Sequence, residues 1–151
     1  MSLSDEAKQV RSFIEKYSPD MVTRIHACRL RMCALFPRGF ELVYDNYNAL
    51  AIGVSPTVRA SDVVLSIAAY PRWVTLFFLK GVKLADPDLL LQGTGNQVRR
   101  IRLTSPEHLG DAKVGRLIVE AMASTRAAFA AAPELTTIVK SVSAKQRPRC
   151  P

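Results

Sequence analysis

The sequence predicts a single α+β domain of about five strands packed against N- and C-terminal helices. The chain has 151 residues, of which 48% are apolar and 23% charged. One ordinary domain of this length and composition can bury its own core. Helical periodicity brackets the chain, whereas its middle consists of short β-rich segments, and this order of elements favours the α+β class.

Two helices are predicted before residue 36. Apolar side chains recur at spacings of three and four in the first helix, at Ala7, Val10, Phe13, Ile14 and Tyr17. Ser18 and Pro19 suit the N-cap and first position of a second helix. That helix runs to about Leu35, where Pro37 and Gly39 end it.

The middle of the chain predicts five strands. They are assigned to Phe40–Tyr44, Leu50–Val54, Val63–Tyr70, Trp73–Leu79 and Gln97–Leu103. The first two form a hairpin around the Asx-rich turn 45–48. Trp73–Leu79 has little polar alternation, which predicts a central strand covered on both faces or nearly so.

The remaining segments connect and close the fold. Asp86–Gln92 predicts a single helical turn, and Gly93–Asn96 a tight loop. The Ser105-Pro106-Glu107 cap and an apolar stripe from Val114 to Phe129 predict a final helix of about five turns. Residues 1–130 are therefore assigned to the domain, and residues 131–151 to a basic, flexible C-terminal tail.

Charge points to an anionic partner. The chain carries 21 Lys and Arg against 13 Asp and Glu, a net charge of +8. The tail accounts for +3 of this and the body for +5. No apolar run approaches the roughly 18 residues of a membrane span. The acidic N-terminus does not resemble a signal peptide, and the three cysteines form no disulfide or zinc pattern, so we expect a cytoplasmic protein.

An enzymatic function is not expected. The chain has two histidines, His26 and His108, and no nucleophile-elbow, phosphate-loop or HExxH motif. No catalytic residue, metal ligand set or cofactor is predicted. The sequence instead predicts a binding domain.

Eight residues are the candidate ligand-binding set. Lys80, Asn96, Arg99 and Arg100 surround the Gly93-Thr94-Gly95 turn, where guanidinium groups and backbone N–H groups favour anions. Tyr44, Tyr47, Asn48 and Trp73 combine ring faces with hydroxyl and amide groups, as the mouth of a ligand pocket does. A plain turn and a polar hairpin remain alternatives for these two groups.

The block WVTLFFLKGVKLADPDLLLQGTGNQVRRIRL, preceded by ELVYDNYNALAIG, resembles the YdhG-like family of small bacterial domains of unknown function. The resemblance covers roughly residues 9–130. It implies a curved antiparallel sheet backed by N- and C-terminal helices, similar in outline to frataxin. One branch of that family is described as a frataxin-like intracellular iron chaperone.

Three functions follow as expectations. The leading one is a non-enzymatic domain that binds a small anionic ligand or a protein partner between sheet and helices. The second is an iron chaperone, although the carboxylates Asp5, Glu6 and Glu15 of the first helix are interleaved with basic residues. The third and less favoured is weak nucleic-acid association through the tail.

Overall fold

The computed structural model describes residues 4–151, which form one α+β domain with a single six-stranded sheet. The helices are α1 (Asp5–Ile14), α2 (Pro19–Leu35), α3 (Ala112–Met122) and α4 (Arg126–Ala131). The strands are β1 (Phe40–Asp45), β2 (Leu50–Ser55), β3 (Leu65–Ala69), β4 (Val74–Phe78), β5 (Arg99–Leu103) and β6 (Thr136–Val142). The predicted α+β class is confirmed.

The sheet has one strand more than predicted and is mixed. Its order is β5-β4-β3-β2-β1-β6. The first five strands are antiparallel to their neighbours, as expected for successive hairpins, but β6 pairs parallel to β1. A parallel neighbour needs a long crossover connection, and here the whole chain from β2 to α4 separates the two strands.

The structure corrects the prediction of a flexible tail after residue 131. Residues Thr136–Val142 form β6, and Arg149 near the C-terminus is 4% exposed. Thr137, Ile138 and Val139 are β-branched and suit a strand. Without β6, β1 would be an edge strand with unpaired backbone groups, so these residues complete the sheet rather than trail from it.

The core lies between one face of the sheet and the helices. A row of cross-strand partners runs through Val43, Ile52, Ile67, Leu76 and Ile101, all of them buried. The predicted apolar face of the first helix is buried against the same cluster, at Val10, Phe13, Ile14 and Tyr17. Period-two alternation places the intervening side chains on the opposite sheet face, which no helix of residues 4–151 covers.

The strand predicted as central is flanked on both sides, but its two faces differ. Leu76 and Phe78 of β4 belong to the core cluster. On the opposite face Thr75 is buried and Phe77 only half-buried. Trp73 lies outside the strand, at the turn that precedes it.

The C-terminal helix is shorter than predicted and divided. Pro106–Gly110 is a 3-10 segment, and α3 begins after Asp111, whose carboxylate accepts from the N–H groups of Lys113 and Val114. Helix α3 ends at Met122, and α4 follows after Thr125. The Thr125 hydroxyl donates to the Met122 carbonyl, 3.0 Å away, a side-chain bond that competes with helical continuation.

The helical turn predicted at Asp86–Gln92 is absent. The Asp86 carboxylate instead accepts from the N–H groups of Leu90 and Leu91, and Leu89 has a φ of 54°. A left-handed residue interrupts a right-handed turn. Gly93 has a φ of 124°, which confirms that the glycine loop needs a positive φ.

Candidate functional site

A cavity of about 360 Å³ lies beyond the end of β4, between the β2–β3 loop and helices α3 and α4. Its wall contains the apolar side chains of Val63, Val64, Phe78, Leu84 and Ala121. Ligand pockets in proteins span roughly 300–1,000 Å³. The cavity therefore has the volume of a small-molecule site.

Four charged side chains line this cavity. Lys80 and Lys83 are exposed and form no ion pair with a carboxylate of residues 4–151. Asp62 accepts a hydrogen bond of 2.6 Å from the Thr57 hydroxyl. Glu120 accepts one of 3.0 Å from the Ala85 N–H. The carboxylates are thus engaged by the protein, whereas the two ammonium groups are available to a ligand.

Local sequence positions these groups. Lys80 follows β4, and Lys83 ends a 3-10 turn that begins at Gly81. A Cβ atom on Gly81 would lie 2.5 Å from the Arg99 Cβ, so only glycine allows this turn to pack against β5. On the opposite side, the break between α3 and α4 brings Ser124 and Thr125 to the cavity wall.

A second concave surface lies on the sheet face away from the helices. We call it the open-face groove, and it consists of two adjoining depressions of about 520 and 430 Å³ that share Tyr70 and Phe77. Small side chains, including Ala51, Ser66 and Ala68, form its floor. Among the residues that the structure describes, no carboxylate lines either depression.

Aromatic and arginine side chains alternate along this groove. The Tyr70 and Trp73 rings stack with centroids 5.3 Å apart and an interplanar angle of 24°. The Arg102 guanidinium lies 4.0 Å from the centroid of the Trp73 ring. Arg100 is the cross-strand partner of Phe77. This end of the groove is therefore cationic and rich in ring faces.

The predicted site residues do not form one site. Tyr47 and Asn48 line one end of the open-face groove, and Trp73 and Arg100 line the other. Lys80 lies instead in the cavity next to α3 and α4. The assignment of these residues to ligand binding stays a prediction.

Three predicted residues lie outside both surfaces. The Arg99 guanidinium donates to the carbonyls of Gly95 and Val98, so it closes the glycine loop. Asn96 is exposed in that loop and lines neither surface. Tyr44 belongs to β1, and its hydroxyl is buried with no hydrogen-bond partner among residues 4–151; burial raises its pKa.

Four residues outside the predicted binding set belong to these surfaces: Lys83, Tyr70, Phe77 and Arg102. The strand period already places Arg102 on the same face as Arg100. The same strand period places Phe77 on the face opposite the core, but the apolar run of β4 predicts that this residue is buried. No sequence pattern indicates the position of Lys83, because the turn that begins at Gly81 brings this residue to the cavity.

A buried ion cluster holds the C-terminus to the sheet. The Asp45 carboxylate, which is fully buried, accepts from Lys16 at 2.6 Å and from Arg149 at 2.9 Å. Burial alone would raise the pKa of Asp45, but the hydrogen bonds from Lys16, Gln146 and Arg149 outweigh it and hold that pKa below its usual value. This cluster is an internal anchor and not a ligand site.

The ionic partners of Asp45 are Lys16 and Arg149, and within residues 4–151 neither histidine forms an ion pair with it. The His108 Nδ1 accepts from the Thr104 N–H at 3.3 Å. His26 has its pKa lowered by partial burial and by Arg29 and Arg11. Within residues 4–151, no group of three or more His, Cys, Asp or Glu side chains could hold a metal ion.

No helix of the described chain is both long and apolar enough to cross a membrane. Comparisons with protein-family models, characterised proteins and solved structures gave no match to this chain. The YdhG-like resemblance, and the iron-chaperone role that it implies, therefore stay expectations from the sequence.

Proposed function

We propose that the protein is a non-enzymatic binding domain that recognises a small anionic ligand with an apolar body. The ligand occupies the cavity bordered by the β2–β3 loop, α3 and α4. The observation that carries this proposal is that Lys80 and Lys83, which form no ion pair with a carboxylate of residues 4–151, lie beside an apolar wall.

The two lysines and two carboxylates of the cavity balance in formal charge, so the preference for an anion rests on which of these groups has free hydrogen-bonding capacity. Asp62 and Glu120 already accept hydrogen bonds from Thr57 and Ala85, whereas a ligand carboxylate or phosphate can take up the lysine donors. Charge-assisted hydrogen bonds are about twice as strong as neutral ones. The apolar wall adds affinity in proportion to the ligand surface that it removes from water.

Binding fits this cavity better than catalysis. Among the described residues that line it are three hydroxyl side chains, at Thr57, Ser124 and Thr125, but no histidine or cysteine. A hydroxyl nucleophile needs an adjacent base. The Thr57 hydroxyl does donate to Asp62 at 2.6 Å, but it also accepts from the Arg59 N–H at 3.1 Å, so this pair holds the β2–β3 loop. Glu120 accepts from the backbone of Ala85.

Thermal unfolding with paired ligands tests the proposal. Hexanoate and phenylpropionate, compared with their neutral amides, are expected to raise the melting temperature only as anions. At a concentration 100 times the Kd the stabilisation is about 2.7 kcal/mol, which for a domain of this size is about 5–10 °C. Lys80→Ala with Lys83→Ala should abolish the shift.

Two further variants control the experiment. Lys8→Ala removes an exposed lysine of α1, far from the cavity lining, and should leave the shift unchanged. Ala128→Leu places a larger side chain on the cavity wall and should block binding without altering charge. The proposal would be rejected if the acid and its amide raised the melting temperature equally. It would also be rejected if the acid stabilised the lysine double variant as much as the unmodified protein.

The iron-chaperone alternative is not favoured by any donor set. Iron needs clustered oxygen, nitrogen or sulfur ligands, and the part of the chain that the structure describes brings no three such side chains together. The carboxylates of Asp5, Glu6 and Glu15 lie on an exposed helix face that also carries Lys8 and Arg11.

We further propose a reducing, cytoplasmic location. Cys28, Cys33 and Cys150 are all free thiols in the structure. Burial raises the pKa of Cys28 to about 11 and that of Cys33 to about 11, so both thiols stay protonated and unreactive near neutral pH.

A further inference from the structure

The open-face groove has no role in the proposed small-molecule site, since it lies on the other face of the sheet. It is nevertheless concave, and its lining contains Tyr70, Trp73 and Phe77 together with Arg100 and Arg102. These three aromatic residues are half-buried, so part of their apolar surface stays open to the groove, and grouped apolar surface of this kind often marks an interaction surface.

The charge of the groove indicates a polyanion. Arg100 and Arg102 are exposed and form no ion pair with any carboxylate of residues 4–151. At the other end of the groove, the Arg147 guanidinium lies 5.6 Å from the centroid of the Tyr47 ring. Each end of the groove thus has an arginine next to an aromatic ring, a spacing that one small anion does not require.

Ring faces at this position favour unpaired bases. Bases within a duplex are stacked on one another and hide their faces, whereas single strands offer them to aromatic side chains. The floor of Ala51, Ser66 and Ala68 leaves room for a planar group. Asn46, Asn48 and Gln92 border the groove with amide groups that can hydrogen-bond base edges.

We propose that the open-face groove binds single-stranded nucleic acid, with bases stacked on Phe77 and Tyr70 and phosphates bound by Arg100 and Arg102. The contact of Arg102 with Trp73 makes that ring a reporter of binding. This differs from the association through a flexible tail that the sequence suggests. In the structure Arg149 of that tail is buried against Asp45, and of the tail arginines only Arg147 reaches the groove, at Tyr47, so most of the proposed contacts come from the sheet face.

Fluorescence offers a direct test, because Trp73 is the single tryptophan of the chain. Fluorescein-labelled oligo-dT and oligo-U of twelve nucleotides are titrated with the full chain and followed by anisotropy. Unlabelled strands are followed by Trp73 emission. Saturable binding should quench that emission, whereas a duplex of the same length should bind at least about tenfold more weakly.

Variants then separate stacking from charge. Phe77→Leu keeps an apolar side chain but removes the ring, and should weaken binding by about fivefold or more. Arg100→Ala with Arg102→Ala should weaken it further and lower the slope of log K against log salt by about 1.4, since each phosphate contact contributes about 0.7 for single strands. Arg59→Ala with Arg126→Ala removes the same charge from exposed positions outside the groove and is the matched control.

Four outcomes would overturn the proposal. The first is that a duplex binds as tightly as a single strand, and the second is that the groove and control arginine pairs have equal effects on affinity. The third is that Trp73 emission does not change at saturation. The fourth is that inorganic polyphosphate or polyglutamate binds as tightly as the oligonucleotides. Lys80→Ala with Lys83→Ala should leave oligonucleotide binding intact. The experiments therefore test the nucleic-acid site and the small-molecule site independently.

Discussion

At the scale of single residues, buried charge distinguishes this protein. Asp45 and Glu41 both lie on the core face of β1 and are 0% and 1% exposed. Arg29 binds Glu41 through two hydrogen bonds of 2.8 and 2.6 Å. Removing one partner of such a pair leaves an uncompensated buried charge, which is costly. Arg29, like Arg149 beside Asp45, therefore has a structural role. Arg100 and Arg102 of the open-face groove differ, because they form no ion pair with a carboxylate of residues 4–151.

Loss of Arg149 should destabilise the protein. Among the described residues, Arg149→Ala leaves the Asp45 carboxylate with Lys16 as its one cationic partner, and the Lys16 side chain is 41% exposed. We expect the free energy of unfolding to fall by about 3 kcal/mol, measured by urea unfolding. Arg147→Ala, an exposed neighbour, should change it by no more than about 0.5 kcal/mol. Equal effects of the two variants would contradict the anchor.

The same carboxylate predicts how stability depends on acid. Because its pKa is lower in the folded protein than in the unfolded chain, Asp45 stabilises the fold above the unfolded pKa, and this contribution is lost as pH falls through the folded pKa. Urea unfolding between pH 7 and pH 2 should give a steep acid limb that Arg149→Ala makes shallower. A residual slope remains, since the pKa of Asp111 is also lowered, by its hydrogen bonds from Val114 and Lys113. An unchanged limb in the variant would refute the assignment.

At the scale of elements, the strands and the first two helices follow their local patterns. Ser18 precedes Pro19 at the start of α2, and the hairpin of β1 and β2 turns at Asn46–Ala49. The last helix and the C-terminal strand depart from prediction. Thr125 bonds back to Met122 and ends a pattern that periodicity alone would continue. β6 has too little apolar alternation to be recognised without its partner β1.

Hydrogen exchange tests the placement of β6. Thr136–Val142 pairs with β1 over its whole length, with a register shift between Val43 and Tyr44. Because β6 is an edge strand, the amides in this range that donate to β1 should be protected, although less than those of β3, which is paired on both sides. Exchange of these amides as fast as in an unstructured peptide would contradict β6 and support the prediction of a flexible tail. Lys145, outside any strand, provides the comparison within the same chain.

At the scale of the whole molecule, the sheet separates two surfaces that the sequence joined into one site. The predicted set includes Lys80, which lies in the cavity, and Trp73 and Arg100, which lie in the open-face groove. Adjacent stretches of sequence diverge because successive residues of a strand point to opposite faces. The turn at Gly81 then directs Lys83 to the cavity, away from the groove.

The sequence by itself determined the α+β class, the order of helices and the five antiparallel strands, because these depend on local periodicity, caps and turns. It also located the basic and aromatic residues that are candidates for binding. Only the tertiary structure decided that residues 136–142 join β1, that Arg149 neutralises Asp45, and which candidates share a surface. Those outcomes depend on contacts between residues about one hundred positions apart, and no local pattern encodes such contacts.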